Sequence, residues 1–295
     1  MAKSSDKNAV NVKKIPLKNY FKNAYKYRYL MQEIIRKNVK LQYRDSVLGM
    51  FWTFLQPLLT MIVLVFIFGT IFGKSNDGVV CYPVYLLAGR LLYEFFTQAT
   101  KRAMRSIRNS ASVLKKVYVP KYIYPVANVL SNFVTFAISL LVLVVVMGYF
   151  LIKNNLMEIP KYPDLHLSWY ILLAIVPILI LCVFSLGVGL ILSVLNVFFK
   201  DIEYIYDVIC MMLFYATPIM YNLNTFKRSG MADAVIHVLM LNPLYSIIEM
   251  FRSSVLYCEM FNPNHVIYAC VTSVVTLIIG IWVFYKNQDK FILHI

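Results

Sequence analysis

An arginine and a glutamate interrupt one of the long apolar runs of this sequence. Arg90 and Glu94 lie four residues apart in the segment 79–100, which holds no other charged side chain. On a helix this spacing places the two groups on one face, close enough for an ion pair. Charged groups at membrane depth face a bundle interior or a cavity, because lipid does not solvate them. The pair either lines a path for a polar substrate or holds helices together, and the sequence leaves both interpretations open.

Elsewhere the spacing that catalysis needs is missing. The four histidines form no H-x-x-x-H pair for a metal ion, and no G-x-S-x-G nucleophile turn occurs. The run 69–75 resembles a Walker A loop, but it is one residue too short and no strand precedes it. Asp207 follows the charged segment 200–203 and is expected among lipid headgroups. We expect no catalytic residue, no metal ligand and no bound cofactor in this chain.

The composition assigns the chain to the membrane. Of its 295 residues, 60% are hydrophobic and 15% charged, and the mean hydropathy is +0.66. A soluble domain has about 45–50% apolar and about 25% charged residues. The net charge of +15 is concentrated in 1–45 and 101–121, beside apolar runs. This distribution indicates basic loops at a membrane and argues against a nucleic-acid partner.

We predict an all-α integral membrane protein, because six runs approach the roughly 20 apolar residues that a helix needs to cross a bilayer. The predicted spans are 49–72, 79–100, 122–151, 169–197, 205–221 and 266–285, within a transmembrane domain 46–295. The segments on the side of the termini hold 22 basic and six acidic residues, whereas the opposite loops hold six of each. This asymmetry predicts that both termini are cytoplasmic.

Two segments do not fit simple spans. Within the cytoplasmic N-terminus 1–45, the segment 20–44 alternates charged and Tyr-rich apolar faces at helical spacing, which indicates an amphipathic interfacial helix. The alternative is a soluble N-terminal helix. Between spans five and six, Ala234–Leu241 and Leu244–Phe251 are each too short to cross. We interpret them as a re-entrant helical hairpin, and the alternative is a folded surface loop.

Three further features bear on function. The loop 101–121 carries seven basic residues and no acid, and 109–116 can form a short helix before Pro120. Such a helix would dock a cytoplasmic partner, and the alternative is a loop bound to anionic membrane lipids. Cys81 and Cys258 could share the outer side, either bridged or as two free thiols. Aromatic residues suit interfacial belts, and they would also suit a sugar path, because sugar rings stack on them. The predicted substrate path is lined by Trp52, Arg90, Tyr93, Glu94, Phe96, Tyr215 and Tyr221.

Four motifs resemble the type-2 ABC exporter permeases for cell-surface polysaccharides, O-antigen and teichoic acid. They are the run 41–59 at the entry to span one, Asn196–Ile202, Ala216–Tyr221 at the end of span five, and the segment from Asn242 to Arg252. The resemblance covers about 20–295 in the same order. Lys200 departs from the pattern, which has Arg there.

The resemblance implies a homodimer in the bacterial cytoplasmic membrane, with a separate ATPase on each copy that binds ATP and Mg²⁺. Lipid-linked glycan would pass along the dimer interface. The residues implied for coupling to the ATPase are Ser110, Ser112, Val113, Leu114, Lys115, Lys116, Val117 and Tyr118. Those implied for a gate helix within 20–44 are Tyr27, Met31, Arg36, Lys40, Tyr43 and Arg44.

The function predicted from these observations is the membrane subunit, not itself an enzyme, of an ATP-driven exporter of lipid-linked polysaccharide or teichoic acid. A secondary carrier is one alternative, and it would need essential ionisable residues at mid-membrane. A membrane-embedded transferase acting on lipid-linked sugars is another, and it would need acid–base residues at a membrane surface. An exporter of drugs or small lipids is the third.

Overall fold

A computed structural model describes residues 26–44, 46–72, 79–117, 119–156, 166, 168–223 and 238–294, and these residues contain helices and no strands. The helices are α1 Arg28–Tyr43, α2 Phe51–Phe72, α3 Tyr82–Asn109, α4 Ala111–Leu114, α5 Ile123–Asn155, α6 Ile175–Phe198, α7 Ile202–Ala216, α8 Pro243–Val255, α9 Pro263–Asn287 and α10 Phe291–His294. Short 3-10 helices at Trp169–Ala174 and Gln288–Lys290 precede α6 and follow α9. The all-α prediction is confirmed.

Four helical segments in the described part of the chain are long and apolar enough to cross a membrane. They are Phe51–Phe68, Ile123–Asn155, Trp169–Phe198 and Pro263–Lys290, which match the predicted first, third, fourth and sixth spans. The second and fifth predicted spans correspond to α3 and α7. Arg90 and Glu94 lower the hydropathy of α3, and α7 has only 15 residues. The six-span count therefore remains a prediction.

Helix α3 is the centre of the bundle. It lies between α5 and α6, and 18 of its 28 residues are buried. On the far side of α6, α9 packs at backbone distance: a Cβ built on Gly280 would lie 2.5 Å from the carbonyl oxygen of Gly187. Small residues at such crossings allow helices to approach closely in membranes. By contrast α2 and α7 have few neighbours and leave apolar faces exposed.

The bundle has two ends. We call the end formed by Tyr43, Asn109, Ile123 and Phe198 the basic end, because the basic loop lies there, and the other the opposite end. At the basic end α1 packs on α5, where the Asn38 side-chain nitrogen donates to Asn128 Oδ1 and Ser131 Oγ, both at 3.3 Å. Helix α1 forms the described part of the predicted segment 20–44, of which 20–25 lies outside the described residues.

At the opposite end, the structure describes one of the two predicted hairpin pieces in full. Helix α8 contains the predicted piece Leu244–Phe251 and begins after Asn242, whose side chain accepts from the Leu244 N–H at 3.0 Å. Ten of its 13 residues are buried against α3, α6 and α9. Of the other predicted piece, 234–237 lies outside the described residues and Val238–Met240 is helical. The re-entrant hairpin stays a prediction.

Candidate functional site

The basic loop forms a protruding turn of helix. Helix α3 ends at Asn109, and the Ser110 N–H still bonds the carbonyls of Ser106 and Ile107 at 3.2 Å. Helix α4 follows at once, and Leu114 packs its side chain on the core beneath it. Val113 and Val117 are 45% and 55% exposed. Ser112, Lys115 and Lys116 are also exposed, Ser110 is half-buried, and Tyr118 lies outside the described residues. The predicted short helix is thus present, with a mixed apolar and basic surface.

A row of polar contacts joins α3 to α7. From the basic end inwards, Arg105 Nε contacts Glu203 Oε2 at 2.9 Å, and Lys101 Nζ contacts Asp207 Oδ1 at 2.7 Å. The row continues where Thr100 Oγ1 bonds the Tyr206 hydroxyl at 2.7 Å and the Tyr93 hydroxyl donates to the Cys210 carbonyl. We call these four contacts the α3–α7 ladder. It connects the helix that carries the basic loop with one of the least covered helices of the bundle.

The sequence analysis missed the ladder. It expected Asp207 among lipid headgroups, which stays a prediction, and it did not foresee the ion pair of Asp207 with Lys101. A signal was present: Lys101 and Arg105 are four residues apart, as are Glu203 and Asp207, so each pair lies on one helix face. Which faces meet depends on the antiparallel packing of α3 and α7, which periodicity alone does not determine.

A polar cleft of about 240 Å³ opens between α1, α2, α3 and α5. It is lined by Gln42, Tyr43, Trp52, Thr53, Gln56, Pro57, Leu91, Glu94, Phe95, Gln98, Arg102, Asn132, Thr135, Phe136 and Ser139. On its wall Glu94 accepts from Gln56 Nε2 at 3.4 Å and lies 4.0 Å from Arg90 Nε. The expected ion pair of Arg90 and Glu94 is therefore present beside the cleft, with a separation of 4.0 Å that is long for such a contact.

Helix α1 closes the cleft from the basic end. Arg102 Nη1 donates to Gln42 Oε1 at 2.9 Å, and Thr53 Oγ1 donates to the Tyr43 hydroxyl at 2.5 Å. One predicted gate residue, Tyr43, thus belongs to the cleft. Of the others, Tyr27 and Met31 are half-buried, and Arg36, Lys40 and Arg44 are exposed.

The residues predicted to line a substrate path are spread over three environments. Trp52 and Glu94 line the cleft. Tyr93 and Phe96 are buried inside the subunit, Tyr93 in the ladder and Phe96 stacked on Phe184 with ring centroids 5.4 Å apart.

The remaining three predicted path residues lie towards the opposite end. Arg90 lies 6.0 Å from the Phe214 ring. Tyr215 is exposed on α7, and the Tyr221 hydroxyl donates to its carbonyl at 2.8 Å. The structure does not bring the predicted path residues into one surface, and the path itself stays a prediction.

A buried arginine organises the opposite end. Arg252 of α8 is 0% exposed and donates to the carbonyls of Pro218, Ile219 and Tyr85 at 2.8, 2.9 and 3.3 Å. Its guanidinium also lies 3.5 Å from the centroid of the Tyr85 ring. A Cβ on Gly89 would come within 2.5 Å of Arg252 Nη2, so this position admits only glycine without a shift. These contacts fasten α3, α8 and the end of α7 together.

Arg252 is one of the six basic residues that the charge count assigned to the opposite loops. That assignment is wrong, because helix α8 carries the side chain into the protein interior. Cys81 and Cys258 are both buried and are not joined by a disulfide, and the Cys258 thiol donates to the His166 carbonyl at 3.2 Å. Of the two alternatives for these cysteines, the structure has the unbridged one.

Proteins named for polysaccharide export or transport are similar to this chain over most of its length. The chain is 28% identical to the "O-antigen export system permease protein RfbA" of Myxococcus xanthus over 268 residues, 90% of this chain and 95% of that protein. It is 27% identical to the protein of the same name from Klebsiella pneumoniae, over 89% of this chain and 93% of that protein. The "Polysialic acid transport protein KpsM" of Escherichia coli is 21% identical over 88% of this chain and 93% of its own length.

A family model described as ABC-2 type transporter matches residues 29–256, from the start of α1 to the end of α8. The match includes the basic loop, the polar cleft, the ladder and Arg252. This extent, with the apolar helices of a multi-pass membrane protein, shows that the chain belongs to the ABC-2 type transporter family.

Proposed function

We propose that this chain is the membrane subunit of an ATP-driven exporter of lipid-linked polysaccharide in the bacterial cytoplasmic membrane. The observation that carries the proposal is the extent of the likeness to permeases named for O-antigen export and polysialic acid transport, about nine-tenths of each chain. The family match over residues 29–256 also spans the segments of this chain that carry the polar contacts between helices. Teichoic acid remains a substrate that the motif resemblance implies.

The energy source in this proposal is a separate ATPase subunit, which holds ATP and Mg²⁺. Helix α4 is its docking element, because Val113 and Val117 offer apolar contact area beside Lys115 and Lys116. Movement of α4 would reach α3 directly, since only Ser110 separates the two helices. The α3–α7 ladder would then transmit it to α7.

Six membrane crossings complete the proposed topology. At about 1.5 Å per residue, the 28 residues of α3 extend roughly 42 Å, enough to cross a bilayer. Helix α7 extends roughly 22 Å, which is too short to cross alone. It would reach the outer surface with the residues that follow it, where Arg252 binds the carbonyls of Pro218 and Ile219. The charge asymmetry supports a cytoplasmic location for the basic end and for both termini.

A homodimer would cover the exposed apolar side chains of α7. Val208, Met211 and Met212 are 53%, 64% and 65% exposed, and Ile205 and Ile209 lie on the same face. Lipid can also cover such a face, but the glycan path needs a lining that excludes lipid. Two copies of α7 facing each other would supply one.

The test is deletion of the chain in its native bacterium. We expect glycan to disappear from the cell surface and its lipid-linked form to accumulate inside, with both effects reversed by the wild-type chain. A protein with a Walker A motif should purify with the wild-type chain at about one to one. Unchanged surface glycan in the deletion strain would contradict the proposal. Transport by the purified chain alone, driven by a proton gradient, would favour a secondary carrier instead.

A further inference from the structure

The polar cleft is lined by groups that bind sugar hydroxyls. It presents four carboxamides, four hydroxyls, one carboxylate and one guanidinium: Gln42, Gln56, Gln98, Asn132, Tyr43, Thr53, Thr135, Ser139, Glu94 and Arg102. Polar side chains at membrane depth cost free energy unless they are satisfied. Most of these groups also bond within the protein, but ten of them around one opening, in a chain that is 60% hydrophobic, form a surface suited to a polar ligand.

Several of these groups keep hydrogen-bonding capacity for an occupant. Within the described part of the chain, Gln98 forms no hydrogen bond, Gln56 uses only Nε2 and Gln42 uses only Oε1. The remaining amide atoms include both donors and acceptors. A sugar hydroxyl donates and accepts at once, so neighbouring hydroxyls on a ring match an amide side chain. Trp52, 43% exposed, adds an aromatic face on which the apolar face of a sugar can stack.

The charge of the cleft favours a neutral ligand. Its lining contains one cation, Arg102, and one anion, Glu94. Arg102 already bonds Gln42, so no free cluster of cations is available for a diphosphate. The volume of about 240 Å³ is below the roughly 300–1,000 Å³ typical of drug-sized ligand sites, which suits one sugar ring and not a polymer segment.

We propose that this cleft is a saccharide subsite within each subunit, which binds one neutral sugar of the lipid-linked glycan. The inference rests on the proposed function for its ligand. It adds a recognition site that is separate from the path between subunits. Because Gln42 and Tyr43 come from α1, and Glu94, Gln98 and Arg102 from α3, a bound sugar bridges the predicted gate helix and the helix that leads to α4.

Binding can be followed by the fluorescence of Trp52. The chain has three tryptophans, so the Trp169→Phe/Trp282→Phe variant reports from the cleft alone. The full-length variant is placed in lipid nanodiscs and titrated with the lipid-linked glycan of the host, or with polyprenyl diphosphate that carries no sugar. We expect a saturable change with the glycan and none with the bare diphosphate.

Two glutamine variants then locate the site. Gln98→Leu should weaken glycan binding about tenfold, because the exposed Gln98 amide would lose its hydrogen bond to the sugar. Gln98 has no hydrogen bond to lose within the described structure, so folding should be unaffected. Gln32→Leu, at an exposed position of α1, is the matched control and should bind as the parent does.

Three results would overturn the proposal: no response of Trp52 to the glycan, an equal response to the bare diphosphate, or undiminished binding by Gln98→Leu. Export in cells separates this failure from failure of the proposed function. If deletion of the chain abolishes surface glycan but Gln98→Leu exports normally, the subsite is wrong and the exporter stands. If deletion leaves surface glycan unchanged, the exporter itself is wrong.

Discussion

Lys101 Nζ lies 2.7 Å from Asp207 Oδ1, and this ion pair joins the central helix α3 to the sparsely covered helix α7. Arg105 and Glu203 form a second pair one turn nearer the basic end, where Asn196 Nδ2 donates both to Glu203 Oε1 and to the Met104 carbonyl at 3.1 Å. The contacts lie on the route by which a movement of α4 would reach α7. We therefore expect these contacts to matter more for transmitting movement between the helices than for the stability of the fold.

We expect Lys101→Asp to reduce export several-fold while it leaves folding almost unchanged. The two side chains are 31% and 46% exposed, and such pairs contribute about 0–1 kcal/mol to stability. The Lys101→Asp/Asp207→Lys exchange restores the attraction and should recover export. The measurement is surface glycan per molecule of permease, with thermal unfolding in parallel. Equal export by the single variant and the wild type, or no recovery in the exchange, would exclude a role for this pair in transmission.

Arg252→Met should destabilise the protein strongly, by about 3 kcal/mol or more, because two carbonyls at the end of α7 and one in α3 lose their buried donor. Thermal unfolding of the purified chain measures the loss. Arg36→Met is the control, since Arg36 is exposed on α1, and its unfolding temperature should be close to that of the wild type. A variant at Arg252 as stable as this control would show that the carbonyl contacts contribute little.

Gly89→Ala tests the same cluster from the side of α3. The added Cβ would lie 2.5 Å from Arg252 Nη2, so the guanidinium must move, and we expect a loss of about 1–3 kcal/mol. In the Gly89→Ala/Arg252→Met double variant the clash is gone. The double variant should therefore lose less stability than the sum of the losses of the two single variants. Full additivity in unfolding experiments would mean that the two residues act independently.

The crossing of α6 and α9 offers a matched pair of glycine substitutions. Gly280→Ala places a Cβ 2.5 Å from the Gly187 carbonyl oxygen. The two helices must then move apart, and we expect a loss of about 1–3 kcal/mol in stability. Gly148→Ala lies in α5 with no atom within 4 Å of the new Cβ, and it should be neutral or slightly stabilising. Resistance to thermal unfolding compares the two. A Gly148→Ala protein that is less stable than the Gly280→Ala protein would contradict the close packing of α6 and α9.

Val117→Asp should release the ATPase partner of the proposed exporter, because it introduces a charge into the proposed apolar docking surface beside α4. A loss of at least about tenfold in affinity corresponds to roughly 1.4 kcal/mol. Val238→Asp, at an exposed valine of the opposite end, is the control and should keep the partner. Co-purification of the ATPase with each variant provides the measurement. Retention of the partner by Val117→Asp would move the docking surface away from α4.

Much of the architecture follows from patterns within single segments. The uncharged runs predicted α2, α5, α6 and α9 within a few residues, because helices in lipid must be long, apolar and internally hydrogen-bonded. The basic loop predicted α4 for a similar local reason, a segment that can form a short helix before Pro120. The amphipathic pattern of 20–44 likewise predicted a helix, of which Arg28–Tyr43 is described.

The candidate site depends on contacts between distant segments. Arg252 is 167 residues from Tyr85, and Asp207 is 106 residues from Lys101, so no window of sequence contains both partners. Periodicity shows which residues share a helix face, but not which face of another helix lies against it.

The sequence by itself determined that this chain is helical, lies in a membrane and has a strongly basic end, because length, hydropathy and charge act within each segment. The tertiary structure alone decided that Gln98, Glu94 and Arg102 share a cleft with Gln42, and that Arg252 is buried against the end of α7. These arrangements follow from how whole helices pack, where side-chain shape and the approach of backbones at glycines select one set of neighbours.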